Sequence, residues 1–215
     1  MASQAQAVVF LHGIGAGPDS WDAQLTALPD GYTGIAPQLA GLTGGEAFTL
    51  ADAAAAIRDD FDQRGVRRAH LCGLSLGGMV ATRFALDYPD RIASLVLSGS
   101  QVRPSPTLMR VQDTIMRLLP ERLVAAPGMT KHDMLAVLRS VAATDFRAEL
   151  SRIAVPTLVL CGTKDRANLS AARELAHRIE GAELQLVPGA GHEWNVQLPA
   201  EFNARLTAFY TRQDG

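Results

Sequence analysis

"HLCGLSLGGMVATRFAL", residues 70–86, sets a serine between two glycines where an apolar run of strand character passes into one of helical character. A corner this tight drives its central residue toward positive φ, and a side chain two residues away on either side would meet the facing backbone. Glycine at both places removes the collisions, so Gly73-Leu74-Ser75-Leu76-Gly77 predicts strand, sharp turn and helix. The Ser75 hydroxyl then projects above the C-terminal edge of a sheet, at the N-terminus of a helix over 76–87 whose dipole favours negative charge. That is a position for a nucleophile. A G-x-S-x-G match also arises by chance in a glycine-rich chain, so its surroundings must carry the reading.

Outward from this corner, short apolar runs alternate with longer segments of helical period. The runs are AVVFL (7–11), YTGIA (32–36), AHLCG (69–73), ASLVLS (93–98), TLVLCG (157–162) and ELQLV (183–187). Helical segments are expected near 20–28, 49–64, 76–87, 169–180 and 197–210. Continuous apolar strands separated by helices imply an α/β fold, a mostly parallel sheet of about six strands covered on both faces. Residues 101–156 break the alternation: they hold no strand-like run but two helical patterns, near 106–119 and 131–143. They read as a small helical cap inserted between residues 1–100 and 157–215, the two parts of one core.

The chain of 215 residues, 47% hydrophobic, suffices for one domain with a buried core. Its 20 basic and 22 acidic residues form no long run of either sign, which argues against nucleic acid or anionic lipid as partner and for a small molecule. No segment approaches the roughly 18 apolar residues of a membrane span. The N-terminal MASQAQAVVF has no basic stretch ahead of its apolar residues, so a cytoplasmic location is expected. Cys72 and Cys161 lie inside predicted strands and read as reduced core thiols.

A serine is a poor nucleophile at neutral pH unless a histidine takes its proton and an acid holds that histidine in the right tautomer. Of five histidines, His70 opens its strand at the wrong end of the sheet. His177 shares a helix face with Arg173 and Glu180, and His132 sits between Lys131 and Asp133 at a cap-helix start. His192 follows the last strand in "VPGAGHEWN", a glycine-rich loop able to bring its imidazole over the sheet edge, and is the candidate base. The acid belongs in a loop at the C-terminal end of a strand. "GSQVR" (99–103) contains no carboxylate, whereas "CGTKD" (161–165) supplies Asp165; Glu193, beside the histidine, is expected to face solvent. No metal or cofactor is expected, because no zinc-ligand spacing occurs and the GIGAG of 13–17 lacks the final glycine of a dinucleotide loop.

Together "FLHGIGAG" (10–17), "GLSLGG" (73–78), "PTLVLCGTKD" (156–165) and "GAGHEWN" (189–195) resemble the α/β-hydrolase family, in its small serine esterase and lactonase-like branch, from Val8 to Tyr210. The order Ser75, Asp165, His192 is that family's order. The resemblance implies an oxyanion hole of backbone N–H groups from Ile14 and Leu76, with His12 shaping the loop. It departs from the pattern in lacking the usual N-terminal hairpin, which would leave GYTGIAPQ as the edge strand. Dehalogenases and epoxide hydrolases of this fold carry aspartate at the elbow; Ser75 implies an acyl-enzyme instead.

The expected activity is hydrolysis of a small to medium carboxylic ester or lactone by a monomer or homodimer. The same triad also serves carbon–carbon bond hydrolysis, perhydrolysis or a menaquinone-synthase-like elimination, and a slow-turnover ligand receptor is the alternative from another class. Met109, Met116, Met129, Met134 and Trp194 are expected to line the substrate pocket, methionine making an adaptable wall. The compact cap limits the length of acyl chain it can roof.

Overall fold

The computed structural model describes residues 5–42, 48–104 and 129–213. Six strands, β1 (Gln6–Leu11), β2 (Tyr32–Ile35), β3 (Ala69–Leu74), β4 (Ile92–Ser98), β5 (Thr157–Gly162) and β6 (Glu183–Val187), form one sheet in the order β2-β1-β3-β4-β5-β6. Every neighbouring pair is parallel. The expected fold is the one found, with the brief, half-buried β2 on one edge.

Alternation along the strands fills two cores. Val9, Leu11, Leu71, Leu95, Leu97, Val159 and Cys161 face one cluster; Val8, Phe10, Cys72, Leu74, Val96, Leu158 and Leu160 face the other. The first face is covered by α2 (Leu50–Arg64), α3 (Leu76–Asp87) and α5 (Leu169–Arg178), the second by Trp21 and by α7 (Pro199–Thr211) through Phe202, Leu206, Phe209 and Tyr210. Cys72 and Cys161 are free, buried and on opposite faces, with β4 between their strands.

Local sequence sets the helix ends. At α2, Thr49 Oγ1 accepts a 3.0 Å hydrogen bond from the Asp52 N–H, and Gly65 at φ 68° closes the helix in the left-handed conformation that glycine adopts without strain. Thr130 and Asp133 form a reciprocal capping box at the start of α4 (Lys131–Ala142), a helix within the expected cap. The helix expected over 20–28 is shorter, a 3-10 turn at Pro18–Trp21 followed by α1 (Asp22–Leu25). The pattern near 106–119 lies outside the described residues. Val102, Phe146, Leu150 and Ile153, inside the expected cap boundaries of 101–156, belong to the main core, and the Phe146 N–H donates to the Val102 carbonyl at 3.1 Å. Among the described residues no helix is long and apolar enough to cross a membrane.

Candidate active site

β3 and α3 meet at Ser75, whose φ of 55° and ψ of −115° make it the one non-glycine residue with positive φ among those described. Strain of this kind persists only where its surroundings hold it. Here the Ser75 N–H donates to the Ser98 carbonyl at 2.9 Å, and the flanking glycines leave room that no other residue would. A Cβ on Gly73 would strike the Gly77 carbonyl, and a Cβ on Gly77 would strike the Leu11 carbonyl at the end of β1. A third, Gly78, faces Ser100, whose Cβ would lie 2.7 Å from an added Cβ. The corner is thereby wedged between the ends of β1 and β4.

Two loops from the far side of the sheet converge on the same edge. Asp165 follows β5; its side chain is 7% exposed, against 38% for His192 in the loop after β6. His192 Nδ1 lies 2.7 Å from Asp165 Oδ2, which with a carboxylate as partner makes Nδ1 the protonated nitrogen and leaves Nε2 as the basic one. That hydrogen bond, the largest influence, raises the imidazole pKa above its usual value, against partial burial, which lowers it; the Asp165 and Glu193 charges add to the rise. Glu193 is exposed. The pair packs on Gly99, φ 53°, where an added Cβ would lie 2.9 Å from His192 Nδ1 and 3.1 Å from Asp165 Oδ2. Gly99 directly follows Ser98, which receives the Ser75 N–H, so the end of β4 ties the serine to the acid–histidine pair. No hydrogen bond joins Ser75 Oγ to His192 Nε2 among the described residues; such contacts commonly tighten only when substrate binds.

Beside the serine, Gly13 brings the β1 loop so close that an added Cβ would lie 3.5 Å from Ser75 Cβ. The next residue is Ile14, and Leu76 is the first residue of α3, whose N–H has no intrahelical acceptor. The residues expected to form the oxyanion hole thus adjoin the serine in the chain and through the β1 loop. His12 is fully buried, its Nδ1 2.9 Å from the Gly13 carbonyl while Nε2 accepts from the Leu39 N–H at 3.2 Å. Burial lowers its pKa, so this imidazole stays neutral and holds the loop.

Sequence reasoning missed Asn168, Gln101 and Gly99. Asn168 Nδ2 lies 2.8 Å from both Asp165 oxygens, and its own oxygen accepts from Gln101 Nε2 at 2.5 Å. The signal was an asparagine three residues after the acid in "DRAN", indistinguishable by sequence from an ordinary turn residue. The residues expected to line the pocket are spread over several places. Met129, 7% exposed, borders a cleft of about 440 Å³ with Gly15, Ala16, Gln38, Leu42 and Val196. Met134 is buried on α4. Trp194 is a correction: it is 1% exposed in the second core, its ring 4.5 Å from that of Phe202 and its Nε1 donating to Ser98 Oγ at 3.0 Å, because α6 (Trp194–Gln197) turns it inward. Met109 and Met116 lie outside the described residues.

A family model described as "Alpha/beta hydrolase family" matches residues 8–205. Among curated proteins, the chain is 29% identical over 246 aligned positions to a protein of Caulobacter sp. strain K31 named as a candidate carbamate hydrolase, RutD, covering 97% of this chain and 91% of that one. It is 28% identical over 251 positions to the 2-hydroxy-6-oxo-6-phenylhexa-2,4-dienoate hydrolase of Burkholderia cepacia, covering 96% of this chain and 87% of the relative. Among solved structures, a hydrolase from Pseudomonas aeruginosa PA01 superposes with a TM-score of 0.84 at 28% identity, covering 97% of this chain and 91% of that chain.

Proposed function

This chain belongs to the alpha/beta hydrolase family, and from that premise we propose that it is a serine hydrolase cleaving a small to medium carboxylic ester or lactone through an acyl-enzyme on Ser75. The observation that carries the reading is the strained φ of Ser75 at a sheet edge shared with a histidine already held by a buried carboxylate. In this mechanism His192 Nε2 takes the Ser75 proton as Oγ attacks the carbonyl carbon, and the N–H groups of Ile14 and Leu76 stabilise the oxyanion. The proton passes from His192 to the departing alkoxide, or to the ring oxygen of an opened lactone. Water, deprotonated by the same nitrogen, then hydrolyses the acyl-enzyme and regenerates the serine. Asp165 orients the ring and stabilises the imidazolium.

Carbon–carbon bond hydrolysis is the second reading, supported by the relative named as a dienoate hydrolase. The deciding experiment is a panel of p-nitrophenyl esters, lactones and vinylogous 1,5-diketones, with a fluorophosphonate probe to mark the nucleophile. The reading expects labelling of Ser75 and multiple turnovers of short esters, each added acyl methylene improving kcat/KM by about fourfold, equivalent to about 0.8 kcal/mol, until the cleft is filled near butyrate or hexanoate. Turnover of diketones alone would favour carbon–carbon cleavage. A single burst without turnover would mean a receptor, and a profile rising to palmitate would mean a lipase.

A further inference from the structure

Asn168 occupies the N-cap position of α5, where an asparagine ordinarily turns its side-chain oxygen onto a free helix N–H. It makes no such cap. Its side chain points backward instead, with Nδ2 at 2.8 Å from Asp165 Oδ1 and 2.8 Å from Oδ2, and it is 8% exposed. A carboxylate only accepts, so the amide nitrogen is the atom that faces it. The amide oxygen is left to accept from Gln101 Nε2 at 2.5 Å, and the same nitrogen of Gln101 reaches the Ala167 carbonyl at 3.2 Å. The chain of contacts thus runs from the first residues after β4 to the acid, and Asn168 Nδ2 ends 3.2 Å from His192 Nδ1.

We propose that Asn168 is a positioning residue for the Asp165–His192 pair, held in place by Gln101; this rests on the reading of Ser75, Asp165 and His192 as a triad. One N–H group shared between both carboxylate oxygens fixes the plane of the carboxylate, which otherwise turns about its terminal bond. With the plane fixed, Oδ2 stays aimed at Nδ1, and the amide nitrogen itself lies 3.2 Å from Nδ1. Asn168 touches no reacting atom; it acts through Asp165. The helix forgoes its cap so that the acid keeps its orientation.

The test uses the full chain with p-nitrophenyl butyrate, reading kcat, KM and the thermal midpoint of each variant. Asn168→Ala is expected to lower kcat ten- to a hundredfold with KM unchanged within twofold. Gln101→Ala, which keeps the amide but frees its orientation, should lower kcat three- to tenfold. The exchange Asp165→Asn with Asn168→Asp should recover at least tenfold in kcat over Asp165→Asn alone, because it sets a carboxylate oxygen where Nδ2 now stands, 3.2 Å from Nδ1. A merely structural asparagine would lower the midpoint, leave kcat per folded molecule unchanged, and gain nothing from the exchange. Should Asn168→Ala fail to fold, Gln101→Ala and the exchange decide. A kcat within twofold of the parent for each foldable single variant, or an exchange no better than Asp165→Asn, overturns the assignment. Were Ser75→Ala and Asp165→Asn themselves to turn over like the parent, the triad reading would fail and this assignment with it. Were those two inactive and the Asn168 and Gln101 variants normal, only this assignment would fall.

Discussion

His192 and His70 stand at opposite ends of the same sheet and show what separates a basic imidazole from a structural one. His70, near the start of β3, is 3% exposed; Nδ1 lies 2.8 Å from Ser94 Oγ and Nε2 2.8 Å from Gln6 Oε1, with the Tyr32 and Tyr210 rings 5.6 and 5.1 Å away. Both its nitrogens are committed to neutral partners. His192 commits Nδ1 alone, and to a carboxylate, in a loop that leaves 38% of the side chain exposed. His12 repeats the first arrangement with backbone partners. What sets His192 apart is therefore a nitrogen left over: His70 on its buried strand and His12 in the loop after β1 both have their two ring nitrogens engaged.

The sharpest break of that contrast is its largest effect. Ser75→Ala or His192→Ala should cost three to six orders of magnitude in turnover while the thermal midpoint stays near the parent's, because the loss of a triad member removes chemistry rather than packing. Labelling of Ser75→Ala by a fluorophosphonate would place the nucleophile elsewhere. Asp165→Asn comes next: the amide invites the wrong tautomer of His192, and kcat should drop by about three to four orders of magnitude with the fold intact. Near-normal turnover in that variant would remove the carboxylate from the comparison.

His70→Ala should do the reverse. It takes the buried Ser94 Oγ's imidazole partner away and opens a void beside the stacked Tyr32 and Tyr210 rings, so a loss of about 2–4 kcal/mol in unfolding free energy is expected, with kcat per folded molecule unchanged. Chemical denaturation measures the first and active-site titration followed by turnover the second. A large fall in kcat without loss of stability would mean that the two ends of the sheet are not independent.

How much of this contrast the sequence disclosed depended on whether a requirement was local. The elbow was legible because Gly73 and Gly77 answer collisions set by five consecutive residues, and the strands because burial on both faces leaves near-continuous apolar runs such as LVL of 158–160. The place of His70 at the wrong end of its strand was legible too; its bonds to Ser94 and Gln6, from neighbouring strands, were not. Asn168 escaped because its partners Asp165 and Gln101 are three and 67 residues away, and nothing local separates an acid-holding asparagine from a helix cap. Trp194 was misplaced because a tryptophan two residues after a site histidine is equally consistent with a pocket wall and a core; the turn of α6, fixed by Phe202 and Ser98, decides.

The smallest expected effect concerns pH, where the two functions of one proton on His192 run in opposite directions. The hydrogen bond to Asp165 raises the folded-state pKa of His192 above the value of about 6.5 of a free imidazole. Below that raised value the ring is protonated and cannot take the Ser75 proton, so kcat/KM should fall on the acid side with an inflection above 6.5. The linkage to folding has the other sign: the native chain binds this proton more tightly than the unfolded chain, so the stability it contributes is fully present below about pH 6.5 and is lost as pH rises through the folded-state pKa. Activity should therefore climb through the same window in which this contribution fades. The difference in thermal midpoint between the parent and His192→Ala, followed across pH, isolates the second effect, and Asp165→Asn should move the kinetic inflection downward. An inflection at or below 6.5 in the parent, or a midpoint difference that grows with pH, would mean that the carboxylate does not hold the protonated ring, and would leave His192 no different from His70 in anything but its exposure.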